Sequence, residues 1–223
     1  MLTLHRAAVL LPAPADPAAP SIPDGAVVVR GDRIAGLGPY RELAAAFPGA
    51  RVREWDGLLT PGLLNRHGHW LLECAYHPDP REEIGAGPLH GPALDALGLG
   101  ASGPSSPAPD EARWGGSARR GLQRMLSQGT TAVAGPFERA SVRTAVARSG
   151  LLAVPGDGSE GPLDPLAGHS LAEAAHGALT VGGRADFAVF APAPAPAHAA
   201  APGGEHGACL ATALAGRLLY RRR

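Results

Sequence analysis

The sequence contains no lysine, and all 20 of its basic residues are arginine. Cysteine is also scarce: Cys74 and Cys209 lie far apart and form no CxxC pair, which excludes a disulfide framework and a zinc knuckle. No apolar run approaches the roughly 18 residues of a membrane span, and the N-terminal residues lack the basic and apolar regions of a signal peptide. These absences predict a soluble cytoplasmic protein.

The composition favours a folded chain with a sizeable core. Its 223 residues are 45% hydrophobic, enough for one well-buried domain or for a small domain and part of a second. The 20 basic and 20 acidic side chains balance, so the sequence has no electrostatic footprint for nucleic acid or anionic lipid. We therefore expect a small molecule or another protein as the partner.

The first sixty residues are rich in predicted strands. A strand over residues 2–11 precedes a proline-rich loop. Gly31 and Asp32 connect two β-branched runs, AVVVR and RIAGLG, which is the pattern of a β-hairpin. A short helix is expected over residues 41–47, where a Pro-Gly pair ends it, and extended chain over residues 51–59.

The middle of the chain alternates between predicted helices and strands. Residues 117–129 and 138–150 have apolar side chains at helical spacing, and each segment ends on a glycine. The strand candidates TTAVAG and LLAVP follow them, and this β-α-β order favours parallel strands. Residues 77–111 are instead dense in proline, glycine and serine, which predicts a loop, a lid or a place where structure was lost.

The C-terminal part returns to strands. A short helix is expected within residues 170–179, and three strands are expected in ADFAVF, CLATALAG and RLLYR. Between the first two of these strands, residues 191–207 form a low-complexity run of alanine, proline and glycine. Such a run predicts a disordered or polyproline-like excursion at the surface.

The segment LLTPGLLNRHGHW has the clearest chemical meaning. A Pro-Gly turn precedes an apolar strand that contains His67 and His69, and the period of a strand places both imidazoles on one side. Two such imidazoles can bind one divalent ion, and an open position on that ion would hold a water of lowered pKa. A bare His-x-His pair is common by chance, so its meaning depends on the surrounding residues.

Those surrounding residues resemble the amidohydrolase superfamily, in its imidazolonepropionase and aminodeoxyfutalosine deaminase types. LLTPGLLNRHGHW is similar to the "hPGhhNxHxH" strand of the metal site, GAVVVRGDRIAGLG to the preceding hairpin, and LSQGTTAVAG to the second barrel strand. VGGRADFAVF and AGRLLYRRR resemble the C-terminal strands. The resemblance implies an α/β fold: residues 1–60 and 178–223 form a composite β-sandwich, and residues 61–177, with the 77–111 loop, form a truncated TIM-barrel-like region.

The chain also departs from the family pattern. The short stretch between residues 155 and 178 has no room for strands four to eight of such a barrel, which supply further metal ligands in the family. The absence of lysine excludes the carboxylated lysine that bridges two metal ions in some members. Arg66 stands where a small residue is usual, and Gly68 replaces the usual Thr or Ser, which is expected to loosen the strand.

Further site residues follow from the resemblance less directly. Glu73 is a candidate catalytic residue, because deaminase-like members have an acidic residue nearby. Four other histidines are candidates for a third metal ligand, and none has a spacing that distinguishes it from the rest. Each is expected at the surface or in a loop: His77, His90, His169 and His176. Asp157 or Asp164 is a candidate substitute for the aspartate of the family, although a solvated loop carboxylate is the default, whereas Asp186 occupies a structural position and is not expected to be a ligand.

Two functions stay open on this basis. The resemblance implies a metal-dependent hydrolase of non-peptide carbon–nitrogen bonds in a small-molecule substrate, with His67 and His69 binding zinc, iron or manganese. Because two imidazoles rarely retain zinc alone, a second copy or a complementing chain would supply the missing ligands. The alternative is an inactive remnant, with or without metal, that acts as a binding or interaction module.

Overall fold

The computed structural model describes residues 2–98, 110–192 and 207–222. Its strands are β1 (Leu2–Leu10), β2 (Ile22–Arg30), β3 (Arg33–Pro39), β4 (Arg51–Pro61), β5 (Leu63–Asn65), β6 (Thr130–Ala134), β7 (Leu152–Val154), β8 (Phe187–Phe190), β9 (Cys209–Leu214) and β10 (Arg217–Arg221). Its α-helices are α1 (Tyr40–Ala46), α2 (Pro92–Ala96), α3 (Glu111–Leu126), α4 (Ala140–Ser149) and α5 (Leu171–Ala174). None of these helices has the length and apolar character needed to span a membrane.

The strands near the two ends of the chain form one seven-stranded sheet, in the order β10-β9-β8-β4-β1-β2-β3. Strand β1 is parallel to β4 and antiparallel to β2. The predicted hairpin is present as the β2–β3 pair, in which Arg30 faces Arg33 and Gly31 adopts a φ of 65°. The mixed α/β class is thus confirmed, whereas the β-sandwich and the truncated barrel stay predictions.

The chain folds into two compact units. The sheet unit consists of Met1–Leu64, Leu126–Ala132 and Asp164–Arg223. The motif unit consists of Asn65–Met125 and Val133–Leu163, and it contains the His-Gly-His motif. The predicted division into residues 1–60 with 178–223, and 61–177, stays a prediction.

The sheet unit buries apolar side chains on both faces of its sheet. Alternate residues of each strand point to the same face, so Val27 and Val29 share one apolar cluster with Phe187 and Val189. Val28 lies on the opposite face, in a cluster against which Leu43 of α1 and Phe47, just after that helix, pack. The alternation visible in the sequence therefore sets which side chains enter each core layer.

The motif unit contains α3 and α4. Helix α3 begins at Glu111, six residues before the predicted start, because Asp110 Oδ1 accepts hydrogen bonds from the N–H groups of Ala112 and Arg113. It ends at Leu126, three residues before Gly129. Helix α4 ends at Ser149, and the next residue, Gly150, adopts a φ of 82°, as the terminal glycine predicts.

The predicted 77–111 loop contains short helical turns. A 3₁₀ turn spans Pro80–Glu82, and its N-cap Asp79 and Glu82 form a capping box. Helix α2 follows, and Leu94 of that helix packs with Tyr76 and Trp114. Residues 99–109 of this loop, and most of the predicted 191–207 excursion, lie outside the described residues.

Candidate functional site

The two motif histidines lie in a turn and not on a strand. Strand β5 ends at Asn65, whose Oδ1 accepts a hydrogen bond from the His67 N–H at 2.9 Å. The Leu71 N–H then bonds to the His67 carbonyl at 2.9 Å, and His69 has helical angles (φ −57°, ψ −56°). The expectation that strand period places both imidazoles on one side is therefore wrong, because the Asn65 side chain turns the chain out of the strand.

Gly68 has a packing role in this turn. A Cβ at this position would lie 2.6 Å from the Ala134 carbonyl oxygen and 3.1 Å from the Val133 Cβ. Only glycine lets the turn approach β6 so closely, because any other residue would overlap that carbonyl. The glycine that the sequence suggests as a loosening residue instead fixes a close backbone contact.

Residues 156–163, which follow β7 and are called the post-β7 loop, contact the turn at several points. The Asn65 amide donates to the carbonyls of Pro162 at 3.2 Å and Leu163 at 3.0 Å. The Nδ1 atom of His67 lies 3.1 Å from the Ser159 carbonyl oxygen. A Cβ on Gly161 would lie 2.2–2.4 Å from three atoms of the His67 ring, so the glycine backbone stacks on the ring face.

His69 is held by a separate set of groups. Its Nδ1 lies 2.6 Å from the Pro136 carbonyl oxygen and 3.4 Å from a carboxylate oxygen of Glu73. Its Nε2 lies 3.8 Å from the Cys74 sulfur. Burial raises the pKa of that thiol, and the charge of Glu73 raises it further, so Cys74 is kept protonated.

Glu73 is buried and caps a helix. It lies in a single π-helical turn, Trp70–Cys74, and its side chain is 5% exposed. Its two carboxylate oxygens accept the N–H groups of Glu138 at 3.0 Å and Arg139 at 2.8 Å, immediately before α4. A carboxylate at a helix N-terminus is favoured by the unpaired N–H groups and by the helix dipole. Its predicted catalytic role stays a prediction.

The four other candidate histidines form no metal-binding group with the motif pair within the described residues. His77 corrects the expectation of a surface or loop residue: it is fully buried, and its Nε2 lies 2.9 Å from the Leu71 carbonyl oxygen. Burial lowers the pKa of His77 to about 4, and the nearby arginines Arg124 and Arg120 add to that effect. His90 packs against Trp70 with a ring-centroid distance of 5.3 Å. His169 and His176 are half-buried in the sheet unit.

The two candidate aspartates have local roles. Asp157 Oδ1 accepts the Ser159 N–H at 3.0 Å within the post-β7 loop. This hydrogen bond lowers the pKa of Asp157, and the neighbouring His67 lowers it slightly more. Asp164 Oδ1 accepts the Leu166 N–H at 2.9 Å in the sheet unit. Asp186, which was not expected to be a ligand, accepts the Ala215 N–H at 2.7 Å in the turn between β9 and β10.

The motif histidines suit a metal ion individually but form only part of a ligand set. The Nδ1 atom of each ring faces a backbone carbonyl, which leaves Nε2 as the atom that would bind a metal; metal-bound histidines commonly have this arrangement. Within residues 2–98, 110–192 and 207–222, no group of three His, Cys, Asp or Glu side chains is placed to hold an ion. The described residues therefore contain no complete metal centre, and His67 and His69 supply at most two of its ligands.

Sequence reasoning did not assign the residues that shape this turn, which are Asn65, Ser159 and Gly161. Asn65 is the "N" of the quoted strand pattern, so the motif could have indicated its role. Ser159 and Gly161 lie more than 90 residues away from His67, and no local pattern connects them to it.

Two sequence comparisons locate relatives of the chain. Residues 25–50 match the profile of the imidazolonepropionase-like composite domain of bacteria. Imidazolonepropionases of Yersinia pestis and Yersinia pseudotuberculosis are 44% identical over 51 residues, which is 23% of this chain and 13% of the enzyme. The chain therefore matches only a small part of these enzymes, and the profile match ends before the His-Gly-His turn.

Structural comparison finds weaker likenesses. An adenosine deaminase from Xanthomonas campestris with bound zinc has a TM-score of 0.47 and 21% identity, over 68% of this chain and 33% of that chain. A guanine deaminase from Bradyrhizobium japonicum also has a TM-score of 0.47, with 17% identity over 70% of this chain and 35% of that chain. These scores are too low to support a fold or a function. The sequence matches nevertheless confirm, over these short stretches, the resemblance to imidazolonepropionases that the motifs indicate.

Proposed function

We propose that this chain is part of a metal-dependent hydrolase of non-peptide carbon–nitrogen bonds, of the imidazolonepropionase or deaminase type. In this proposal His67 and His69 are two of the metal ligands. The supporting observation is that a backbone carbonyl faces Nδ1 of each ring, at 3.1 Å for His67 and 2.6 Å for His69. Such acceptors fix the ring and leave Nε2 with a lone pair for a metal.

The residues of the chain would orient the ligands. A bound divalent ion, with zinc preferred and iron or manganese as alternatives, supplies a water of lowered pKa at such a site. Asn65 orders the turn and the post-β7 loop together, because its side chain bonds both to the His67 N–H and to the carbonyls of Pro162 and Leu163. The substrate class is a small molecule with an amidine or cyclic amide carbon.

A complete metal site requires ligands in addition to His67 and His69. A second copy of the chain or a complementing chain would supply them, since zinc sites use three or four protein ligands. We also propose that β5, β6 and β7, with α3 and α4, correspond to the first strands and helices of a barrel. The strands near the two ends of the chain would then correspond to the composite β-sandwich.

Metal analysis of the purified protein tests this proposal. The double variant His67→Ala/His69→Ala should lose most of the metal bound by the native protein, whereas the matched control His169→Ala/His176→Ala should keep it. Less than about 0.1 equivalent of zinc, iron or manganese in the native protein, after expression with ample metal, would contradict the hydrolase proposal for the chain as purified. Measuring molecular mass in solution, with and without metal, then shows whether a second copy takes part.

A second candidate function is a binding or interaction module without catalysis. The specific observation in its favour is that the groups of the motif are engaged by the chain itself. Gly161 stacks on the His67 ring, and Glu73 is occupied by the backbone before α4. If the double histidine variant binds as much metal as the native protein and has equal stability, this second function is favoured over hydrolysis.

A further inference from the structure

Glu73 connects the motif turn to the segment that precedes α4. Its oxygens accept the N–H groups of Glu138 and Arg139, at 3.0 and 2.8 Å. The same carboxylate lies 3.4 Å from Nδ1 of His69. One buried side chain therefore contacts both the backbone of residues 138–139 and the second motif histidine.

The Pro136 carbonyl oxygen belongs to this same segment. It lies two residues before the Glu138 N–H that Glu73 binds, and it is 2.6 Å from Nδ1 of His69. By holding residues 138 and 139, Glu73 also limits the positions available to that carbonyl. Glu73 thus acts on His69 directly through its charge and indirectly through Pro136.

These contacts determine which ring nitrogen carries the proton. A carbonyl and a carboxylate are both acceptors, so the nitrogen that faces them must be an N–H donor. In the neutral ring the proton is then on Nδ1, and Nε2 has a free lone pair. Among the described residues, the Cys74 thiol lies 3.8 Å from Nε2 and is a weak donor.

We propose that Glu73 is a positioning residue that sets the tautomer and the ring orientation of His69, and not a residue that transfers protons during a reaction. The buried carboxylate already accepts two N–H groups and lies beside a third donor, so its oxygens are committed to the fold. The claim about the tautomer concerns the chain alone, whereas its consequence for metal binding rests on the proposed function.

Nitrogen NMR of the imidazole rings tests the tautomer in the metal-free, full-length protein. Neutral His69 should be an Nδ1–H ring in the native protein, and the Nε2–H form should become measurable in Glu73→Gln. The amide keeps one oxygen acceptor but places an NH₂ group where a second acceptor was. Glu138→Gln is the matched control, because the Glu138 side chain is exposed and its backbone N–H is retained. The control should keep the native tautomer.

A second variant separates positioning from folding. Glu73→Ala removes both acceptors and is expected to lower the melting temperature, since it also uncaps α4. Where Glu73→Gln remains folded by circular dichroism and His69 still has only the native tautomer, the positioning role is refuted. A lower melting temperature with an unchanged tautomer would likewise leave Glu73 as a helix cap only.

Metal titration tests the effect of Glu73 on metal binding, which depends on the proposed function. If the native protein binds zinc through His69, Glu73→Gln should weaken binding by about 10–100-fold, as loss of a hydrogen-bonding partner of a ligand typically does, and Glu138→Gln should not. Absence of zinc binding in the native protein would contradict the proposed function, and the NMR result would still decide the role of Glu73. Unchanged zinc affinity in Glu73→Gln would count against positioning.

Discussion

Three buried threonine hydroxyls of the sheet unit and two buried side chains beside the histidine turn differ in their hydrogen bonding. In the sheet unit, the hydroxyls of Thr60, Thr130 and Thr131 are buried and have no hydrogen-bond partner within the described residues. In the motif unit, the Ser141 hydroxyl is also buried and unpaired, but the buried side chains of Asn65 and Glu73 each bond to backbone groups of distant segments. The sheet is stabilised chiefly by apolar packing, whereas the histidine turn depends on specific hydrogen bonds.

This difference has a consequence for tolerance to substitution. Apolar packing is non-directional, so a core accepts changes of side chain that conserve volume. A hydrogen bond requires one geometry, and a partner left unsatisfied in the interior costs free energy. We therefore expect the turn to be sensitive to changes of chemistry, and the sheet to be sensitive mainly to changes of volume.

The largest effect is expected from removing volume in the sheet unit. Phe187 is fully buried in its main apolar cluster, and Phe187→Ala should lower the free energy of unfolding by about 3–5 kcal/mol. The control Val181→Ala alters a side chain that is 66% exposed and should change stability by less than about 0.5 kcal/mol. Denaturant unfolding measures the free-energy change of each variant. Equal changes for the two variants would contradict the interpretation that the sheet has a packed apolar core.

An intermediate effect is expected from pH, and it involves both units. Burial lowers the pKa of His5, in the sheet unit, and of His77, in the motif unit, from 6.5 to about 4. Between these values the unfolded chain binds more protons than the folded chain. The stability that the two neutral histidines contribute is therefore complete above about pH 6.5 and is lost as the pH falls towards about 4. The protonation of each histidine should lower the unfolding free energy by about 3 kcal/mol at the lower end of this pH range.

Substitution separates the two contributions. His77→Gln and His5→Gln should each reduce the dependence of unfolding free energy on pH by up to about 1.4 kcal/mol per pH unit between about pH 5 and 6. Trp55 donates to Nδ1 of His5, and Gln retains an acceptor for that bond. If neither substitution changes the slope, the histidines are not held neutral in the fold.

The smallest effects should show the contrast in chemistry most directly. Asn65→Ala removes the partner of one N–H and two carbonyls, and should cost about 2–3 kcal/mol. Thr60→Val keeps the branched shape in β4 and removes an unpaired buried hydroxyl, so it should be neutral or stabilise by up to about 1 kcal/mol. Thermal unfolding of the two variants compares them, and a costly Thr60→Val would mean that this hydroxyl has a partner.

Much of the secondary structure could be predicted from local patterns. The hairpin at Gly31, the end of helix α4 before Gly150, and strand β6 all depend on neighbouring residues in the sequence. The start of α3 was missed, because Gly115 and Gly116 disfavour a helix locally and the cap at Asp110 lies before them. Packing and capping of the formed helix outweigh that local cost.

The candidate site was predicted less completely than the fold. The motif identified His67 and His69, and its likeness to a family suggested their chemistry, but the strand geometry assumed for them was wrong. The error arose because a side chain, Asn65 Oδ1, bonds to the backbone two residues later and ends the strand. The position of His77 was misjudged for a similar reason, since burial depends on which distant segments cover a residue.

The sequence by itself determined the hairpin, the alternation that builds the sheet core, and the presence of a histidine pair in a family-like context. Each of these features depends on residues that are close together in the chain. The tertiary structure decided that the pair lies in a turn, that the post-β7 loop contacts His67, and that Glu73 caps α4 beside His69. The contacts of the post-β7 loop with His67 and of Glu73 with residues 138–139 join residues separated by 65 positions or more, and no periodicity in a sequence records such pairings.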